Sequence, residues 1–361
     1  MPQPSRTVLL VSRGLDPVGS GRQIELAAAA FRDAGWRVHV AATTADGAVP
    51  ARLAAAGFAT QRVGTRPVVD AAAAVRLARL ARSLRLGGQD AILVWGRSQA
   101  RLAGALRPLL PHTRLACRLE SPPRHRLTGW CLQRADLVIA ASPEIARGCG
   151  DLGVAADDIV TVAPTAVPAE ASGATRAEIA GRLGLDPEKL WTLCVAPLGP
   201  ESRLERLLWA IDQLGVVHRR LEHVLVGAGP QRARLMRRAR MQQVGERLHL
   251  FPHLHSLPDL LRQAAIVWQS GEVACGGAIL DGQALGIPAV AIDGAAARQC
   301  IADGETGRIV PADPESEFPR RVLGILEDEQ LAARYGAAAK VRTAAAFPAA
   351  GMDAVVAAVA G

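Results

Sequence analysis

The chain has 361 residues, room for two domains of roughly 150 residues each. Half of them are hydrophobic and 21% are charged, a balance that excludes disorder, and no uninterrupted apolar run approaches the ~18–20 residues a bilayer needs. The net charge of +8 lies wholly in the first half, since residues 1–168 carry 21 arginines against 12 acids and the remainder stands at −1.

Short apolar runs alternate with helical patterns from the start. Thr7–Val11 reads as a strand, its apolar part too short for a signal peptide. A glycine-rich loop leads to a helix over Gln23–Ala34 and a strand over Arg37–Ala41. Further strands read at Ala91–Trp95, Arg114–Leu119 and Leu137–Ala141, with helical stretches between them. This rhythm predicts parallel sheets with right-handed crossovers. After Ile159–Val162 the pattern stops. Residues 163–175, rich in Pro, Ala, Ser and Gly, read as a linker.

The alternation restarts with strands at Trp191–Val195, His223–Gly227, Leu248–Phe251, Ile266–Trp268, Pro288–Ile292 and Gly307–Val310. Helices are predicted over Arg203–Leu214 and Gln231–Val244. The expected fold is therefore α/β, with two doubly wound Rossmann-like domains facing a central cleft: 1–168, 169–340, and a C-terminal helix over 341–361 packing back towards the first. The six cysteines form no C-x-x-C pair and several sit in apolar runs, so buried, reduced thiols are expected.

Three segments offer chemistry. Gly19-Ser20-Gly21 follows the first strand and opens a helix, where glycines let a ligand approach and free N–H groups favour an anion. It lacks the third glycine of a dinucleotide fingerprint, and a simple connection is an equal reading. Gly227-Ala228-Gly229-Pro230 closes a strand, and taken alone is a tight turn. Gly276-Gly277-Ala278 precedes a helix ending at Gly286, with Glu272 before the glycines and Asp281 one turn in. Either acid suits sugar hydroxyls, or is a solvated surface residue.

In this order the segments resemble the retaining, nucleotide-sugar-dependent group 1 glycosyltransferases. The resemblance runs through Val226-Gly227-Ala228-Gly229-Pro230, then Ala284-Leu285-Gly286-Ile287-Pro288, and finally Asp303-Gly304-Glu305-Thr306-Gly307 with Val310-Pro311. Ala135–Ser142 looks like that family's strand before the linker. The resemblance implies a GT-B fold and a hexosyltransferase, cytoplasmic or peripheral to the inner face of a membrane, that moves a sugar with retention and needs no metal or cofactor. It implies that Gly19, Ser20 and Gly21 face the reacting centre with Arg118 and Glu120 on the acceptor side. Arg203 and the 276–278 backbone would hold the donor diphosphate, Gly227 and Gly229 would border the donor, Asp281 would take the ribose and Glu272 the sugar. His253 lies in a loop that in the family passes the nucleobase.

The match weakens at the catalytic cations. The family's Arg and Lys fall at Pro197 and Ser202, leaving Arg203 one position along. The paired glutamates appear as Glu272 and Asp281 with one extra residue between them, and the family's histidine is replaced by Arg118-Leu119-Glu120-Ser121. Stabilising a leaving diphosphate is usually the largest catalytic contribution, so a non-catalytic relative that binds a nucleotide-sugar or a protein partner is the alternative. A sugar-nucleotide epimerase of the same fold fits the motif order less well.

The basic half points to a sugar, lipid-linked or phosphorylated acceptor, or to anionic headgroups, through Arg76, Arg79, Arg82 and Arg85 and the cluster Arg124, His125, Arg126, Arg134. A solvated arginine-rich face is the alternative. Scarce aromatics among these arginines argue against nucleic acid. His253-Leu254-His255 has no acid or cysteine at ligand spacing, so no metal site is predicted.

Overall fold

The computed structural model describes residues 6–15, 19–43, 49–64, 71–271, 274–275 and 277–361. The chain divides into two units, Met1–Thr165 with Ala349–Gly361, and Ala166–Pro348.

The first unit runs β1 (Thr7–Ser12), α1 (Ser20–Asp33), β2 (Arg37–Ala42), α2 (Val49–Ala55), β3 (Ala59–Arg62), α3 (Ala71–Ser83), β4 (Ala91–Trp95), α4 (Arg97–Leu106), β5 (Arg114–Leu119), α5 (Arg126–Leu132), β6 (Leu137–Ala140), α6 (Pro143–Gly150) and β7 (Ile159–Thr161). Among the described residues its seven strands lie in the order β3-β2-β1-β4-β5-β6-β7, with the pairings parallel. Strands β1, β4 and β6 are buried throughout, because helices cover both faces of a parallel sheet; hence their unbroken apolar runs. At the edge, β3 is exposed at every position and its sequence, Ala-Thr-Gln-Arg, carries no apolar signal. It was not predicted for that reason.

The second unit runs α7 (Arg176–Leu183), β8 (Leu190–Val195), α8 (Leu204–Val217), β9 (Leu221–Val226), α9 (Arg232–Met241), β10 (Leu248–Phe251), α10 (Leu257–Gln263), β11 (Ile266–Gln269), α11 (Ala278–Ala284), β12 (Ala289–Ile292), α12 (Ala295–Cys300), β13 (Gly307–Val310), α13 (Glu317–Leu326) and α14 (Glu329–Ala346). A last helix, α15 (Gly351–Ala360), returns to the first unit. The second sheet is parallel in the order β10-β9-β8-β11-β12-β13. Its core stacks Trp268 on Phe318 at 5.4 Å and sets the buried His223 ring 5.5 Å from Trp268. All six cysteines are buried thiols outside any disulfide.

Two boundaries differ from expectation, each for a local reason. The first unit ends at Thr165 rather than 168, because the Gln23 amide holds it there. Gln23 Nε2 donates to the Thr165 carbonyl at 2.7 Å and Oε1 accepts from the Thr165 N–H at 3.1 Å. The next N–H, of Ala166, donates to Phe347 within the second unit at 2.9 Å. The expected linker ends in a capping box: Thr175 Oγ1 accepts from the Glu178 N–H at 3.3 Å, and Glu178 Oε2 accepts from the Thr175 N–H at 2.8 Å, starting α7. The segment 341–361 is not one helix. The chain leaves helical geometry at Phe347, with Pro348 next, so 341–346 belongs to α14 in the second unit. Only α15 packs in the first, burying Met352, Val355, Val356 and Val359 in the cluster that holds α1.

Within Glu329–Ala360 an 18-residue window reaches a mean hydropathy of 1.5, so by length and composition alone the stretch passes for a membrane-crossing helix, contrary to expectation. The stretch is in fact two helices, α14 and α15, in two different units.

Candidate functional site

Ligands of doubly wound sheets bind beyond the carboxyl ends of the strands, at the point where strand order reverses. In the second unit that point lies between β8 and β11, and the chain is stitched across it. Gln269 Nε2, at the end of β11, donates to the Val195 carbonyl at the end of β8 at 2.7 Å. One residue on, Ser270 Oγ donates to the Ser202 carbonyl at 3.1 Å. A Cβ on Gly271 would overlap the backbone of Glu201 and Ser202, so only glycine permits this approach. The residues leading to Glu272 therefore lie against those leading to Arg203. Glu272 and Gly276 themselves fall outside the described residues.

Arg203 caps the N-terminus of α8 in left-handed geometry (φ 45°), and its side chain is exposed. The two positions expected for family cations do something else here. Ser202 Oγ donates to the Pro197 carbonyl at 2.6 Å, a staple that closes the loop between β8 and α8.

Gly227 and Gly229 belong to the same packing. The Leu198 N–H donates to the Ala228 carbonyl and the Gln231 N–H to the Leu198 carbonyl, both at 3.0 Å, zipping the loop after β9 onto the loop after β8. A Cβ on Gly227 would overlap the Ala196 carbonyl oxygen, and one on Gly229 would lie 2.5 Å from the Leu198 carbonyl oxygen. Both glycines have a packing reason, whatever they border. Gly277 caps α11, Ala278 is its first residue, and Asp281 is 1% exposed. His253, half-buried, follows β10, on the far side of β9 from this point.

The Asp303–Gly307 stretch is also architectural. Thr306 Oγ1 accepts from the Ala302 N–H (2.9 Å) and from Gln283 Nε2 (3.1 Å), and Asp303 Oδ1 accepts from the Ile309 N–H at 2.9 Å. These bonds fix β13 against α11.

In the first unit the order reverses between β1 and β4. Gly19 adopts φ 74° and α1 begins at Ser20, whose Oγ donates to Glu120 Oε2 at 2.8 Å, across a hundred residues of sequence. Arg118 is fully buried, its guanidinium 5.0 Å from the Trp95 ring centroid, and it donates to the Ala163 carbonyl at 3.3 Å. Trp95 and Arg118 are register partners on β4 and β5. Burial pushes the Glu120 carboxyl above its ordinary range, while Arg118, Ser20 and Trp95 pull it back. Gly19, Ser20, Gly21, Arg118 and Glu120 are thus gathered at one place. Trp95 and Gln269 were missed as site residues; their signal was the strand end, since each is the last residue of its strand.

The two switch points, built on two parallel sheets, define a GT-B protein. The model for glycosyl transferases group 1 matches residues 175–342, and that for glycosyltransferase family 4 matches residues 18–170. A phosphatidyl-myo-inositol mannosyltransferase of Mycolicibacterium smegmatis is 30% identical over 152 residues, 40% of this chain. That alignment spans 37% of the curated relative's length. Among solved structures, Anabaena HepE in complex with UDP and glucose superposes with a TM-score of 0.77 over 98% of each chain at 16% identity. Sucrose-phosphate synthase of Thermosynechococcus elongatus gives 0.73 over 98% of this chain and 97% of that one at 17% identity. The two family matches and the mannosyltransferase relative make the chain similar to group 1 glycosyltransferases.

Proposed function

We propose that the chain transfers a hexose from a nucleotide-sugar donor to a sugar, lipid-linked or phosphorylated acceptor, with retention and without a metal or cofactor. The observation that carries this reading is the stitched switch point of the second unit. There the 270–271 segment is bonded to the 201–202 segment, so Arg203 and the chain entering Glu272 share the place where such sheets take ligands. HepE, solved with UDP and glucose, lends support to the donor class.

In this reading Arg203, free of the helix body on its left-handed cap, offers a bidentate cation to the donor diphosphate. Asp281 holds the ribose and Glu272 the sugar. His253 approaches the base, and Gly227, Gly229, Gly276, Gly277 and Ala278 bring backbone close to the donor. In the first unit, Gly19, Ser20, Gly21, Arg118 and Glu120 present the acceptor's reactive hydroxyl. Charge developing on the leaving diphosphate is where a cation contributes most, and one well-placed donor is worth about 10²–10³ in rate.

A second reading keeps donor binding and drops the chemistry. It is favoured by the Ser202–Pro197 staple, which occupies both positions where the resemblance puts cations. A thermal-shift panel of nucleotide-sugars followed by transfer and donor-hydrolysis assays separates the two, because bound ligand stabilises the native state in either case and turnover appears in one. We place the protein in the cytoplasm, at the inner face of a membrane, because the acceptor class includes lipid-linked sugars and the basic charge sits in the first unit.

A further inference from the structure

Residues 71–135 of the first unit hold twelve arginines and two acids. Neither acid offsets the surface charge. Asp90 is turned to the backbone, accepting from the Thr7 N–H at 2.6 Å and the Gly87 N–H at 2.8 Å, and Glu120 is 4% exposed. The next acid, Asp136, is held by Arg107 through two bonds of 2.8 and 2.7 Å.

This stretch forms one helical layer, α3 beside α4 and α4 beside α5. The chain moves from β3 through β4 and β5 to β6 in one direction across the sheet, so right-handed crossovers put all three helices on the same face. Gly104 lets α4 and α5 approach closely: a Cβ there would lie 2.5 Å from the Cys131 Cβ. Arg101 Nε, on α4, donates to Thr128 Oγ1 on α5 at 2.8 Å.

On α5 two large apolar side chains point outward, Leu127 at 59% and Trp130 at 50% exposure. Three residues apart, they share a helix face. Arg134 lies over the Trp130 ring at 4.5 Å, and Arg124, His125 and Arg126 precede them, exposed. Arg79 and Arg82 are exposed on α3. A tryptophan and a leucine standing out of a field of arginines match a bilayer interface, where an indole sits at headgroup depth and arginines meet lipid phosphates.

We propose that the α3–α4–α5 layer docks the protein on an anionic lipid bilayer, with Trp130 and Leu127 entering the interface and Arg79, Arg82, Arg126 and Arg134 meeting headgroup phosphates. The proposal gives the membrane contact named above a specific surface, yet it stands on exposure and charge and does not need the transferase chemistry. Losing sugar transfer would leave it intact.

The test is co-sedimentation of the full chain with vesicles of phosphatidylcholine alone, or with about a third phosphatidylglycerol. Partitioning onto the anionic vesicles should exceed that onto neutral ones at least tenfold, and salt should reduce it. Trp130→Ala with Leu127→Ser should lower it about tenfold, and Arg79→Glu with Arg126→Glu should lower it further, with thermal melting unchanged in both pairs. Arg237→Glu, exposed on α9 of the second unit, should have no effect. Equal partitioning of wild type and both pairs would overturn the proposal. So would equal binding to neutral vesicles, or a surface that instead captures duplex RNA or a second copy of the chain with Trp130 irrelevant to it.

Discussion

The two units solve the same architectural problem by different means. At the switch point of the first, a side-chain cluster spans the strand ends: Ser20 on Glu120, with Arg118 over Trp95 beside it. At that of the second, backbone meets backbone, and Gly227, Gly229 and Gly271 are there because a Cβ would collide. A crevice built from buried titratable groups is tuned by charge; one built from glycines is tuned by shape. The surfaces divide the same way, with the arginine excess confined to the first half.

The largest expected effect is a break in the shape-built crevice. Gly271→Ala forces the chain away from Glu201 and Ser202 and should destabilise the second unit by about 3 kcal/mol or more, read by calorimetry of the full chain. If it melts as the wild type does, the stitched loops do not need a glycine.

Arg203→Ala should cost about a hundredfold in kcat/KM, equivalent to about 2.7 kcal/mol, while the melting temperature stays put, because the side chain is exposed. Unchanged turnover removes Arg203 from the chemistry.

The next effect is one of pH. His223 is fully buried beneath Trp268, with its Nδ1 2.8 Å from Thr192 Oγ1, and burial chiefly, with Arg247, His249 and His218 adding, depresses its pKa to about 3. The unfolded chain binds this proton near pH 6.5 and the folded one does not, so stability is full above about pH 6.5 and falls as the pH drops towards 3. His223→Gln should flatten that acid limb of a melting-temperature profile. A profile of the same slope in the variant would assign the loss to other groups.

The smallest effect belongs to the charge-built crevice. Burial raises the Glu120 carboxyl, so the folded state holds its proton more tightly than the unfolded one, and stability declines as the pH rises above the ordinary carboxylate range. Glu120→Gln, neutral and of similar shape, should remove that decline and leave the first unit slightly more stable at pH 8. Destabilisation at pH 8 would mean that the ionised carboxylate is the form the fold requires.

Much of this was legible because parallel strands buried on both faces write unbroken apolar runs, and because glycines and prolines mark the loops between them. What was not legible shares a physical cause. The edge strand β3 buries nothing, so its sequence carries no pattern. The unit boundary depends on Gln23 reaching Thr165, a contact between residues 142 apart that no local pattern encodes. Glycine motifs that resemble donor-binding loops each have a packing reason as well, and sequence alone does not distinguish a glycine that makes room for a ligand from one that makes room for the neighbouring loop. The serine and proline where cations were expected pointed only to a loss. The structure shows what stands there, a hydrogen bond that closes the loop.

The central claim is sugar transfer from a nucleotide donor, and it is tested most directly by incubating the purified protein with a panel of UDP- and GDP-sugars and candidate acceptors, with and without EDTA. Release of nucleoside diphosphate coupled to formation of a retained glycosidic product, undiminished by EDTA and lost in Arg203→Ala, is the predicted result. Donor binding that stabilises the second unit with neither transfer nor hydrolysis for any donor would contradict it and leave a binding protein in place of an enzyme.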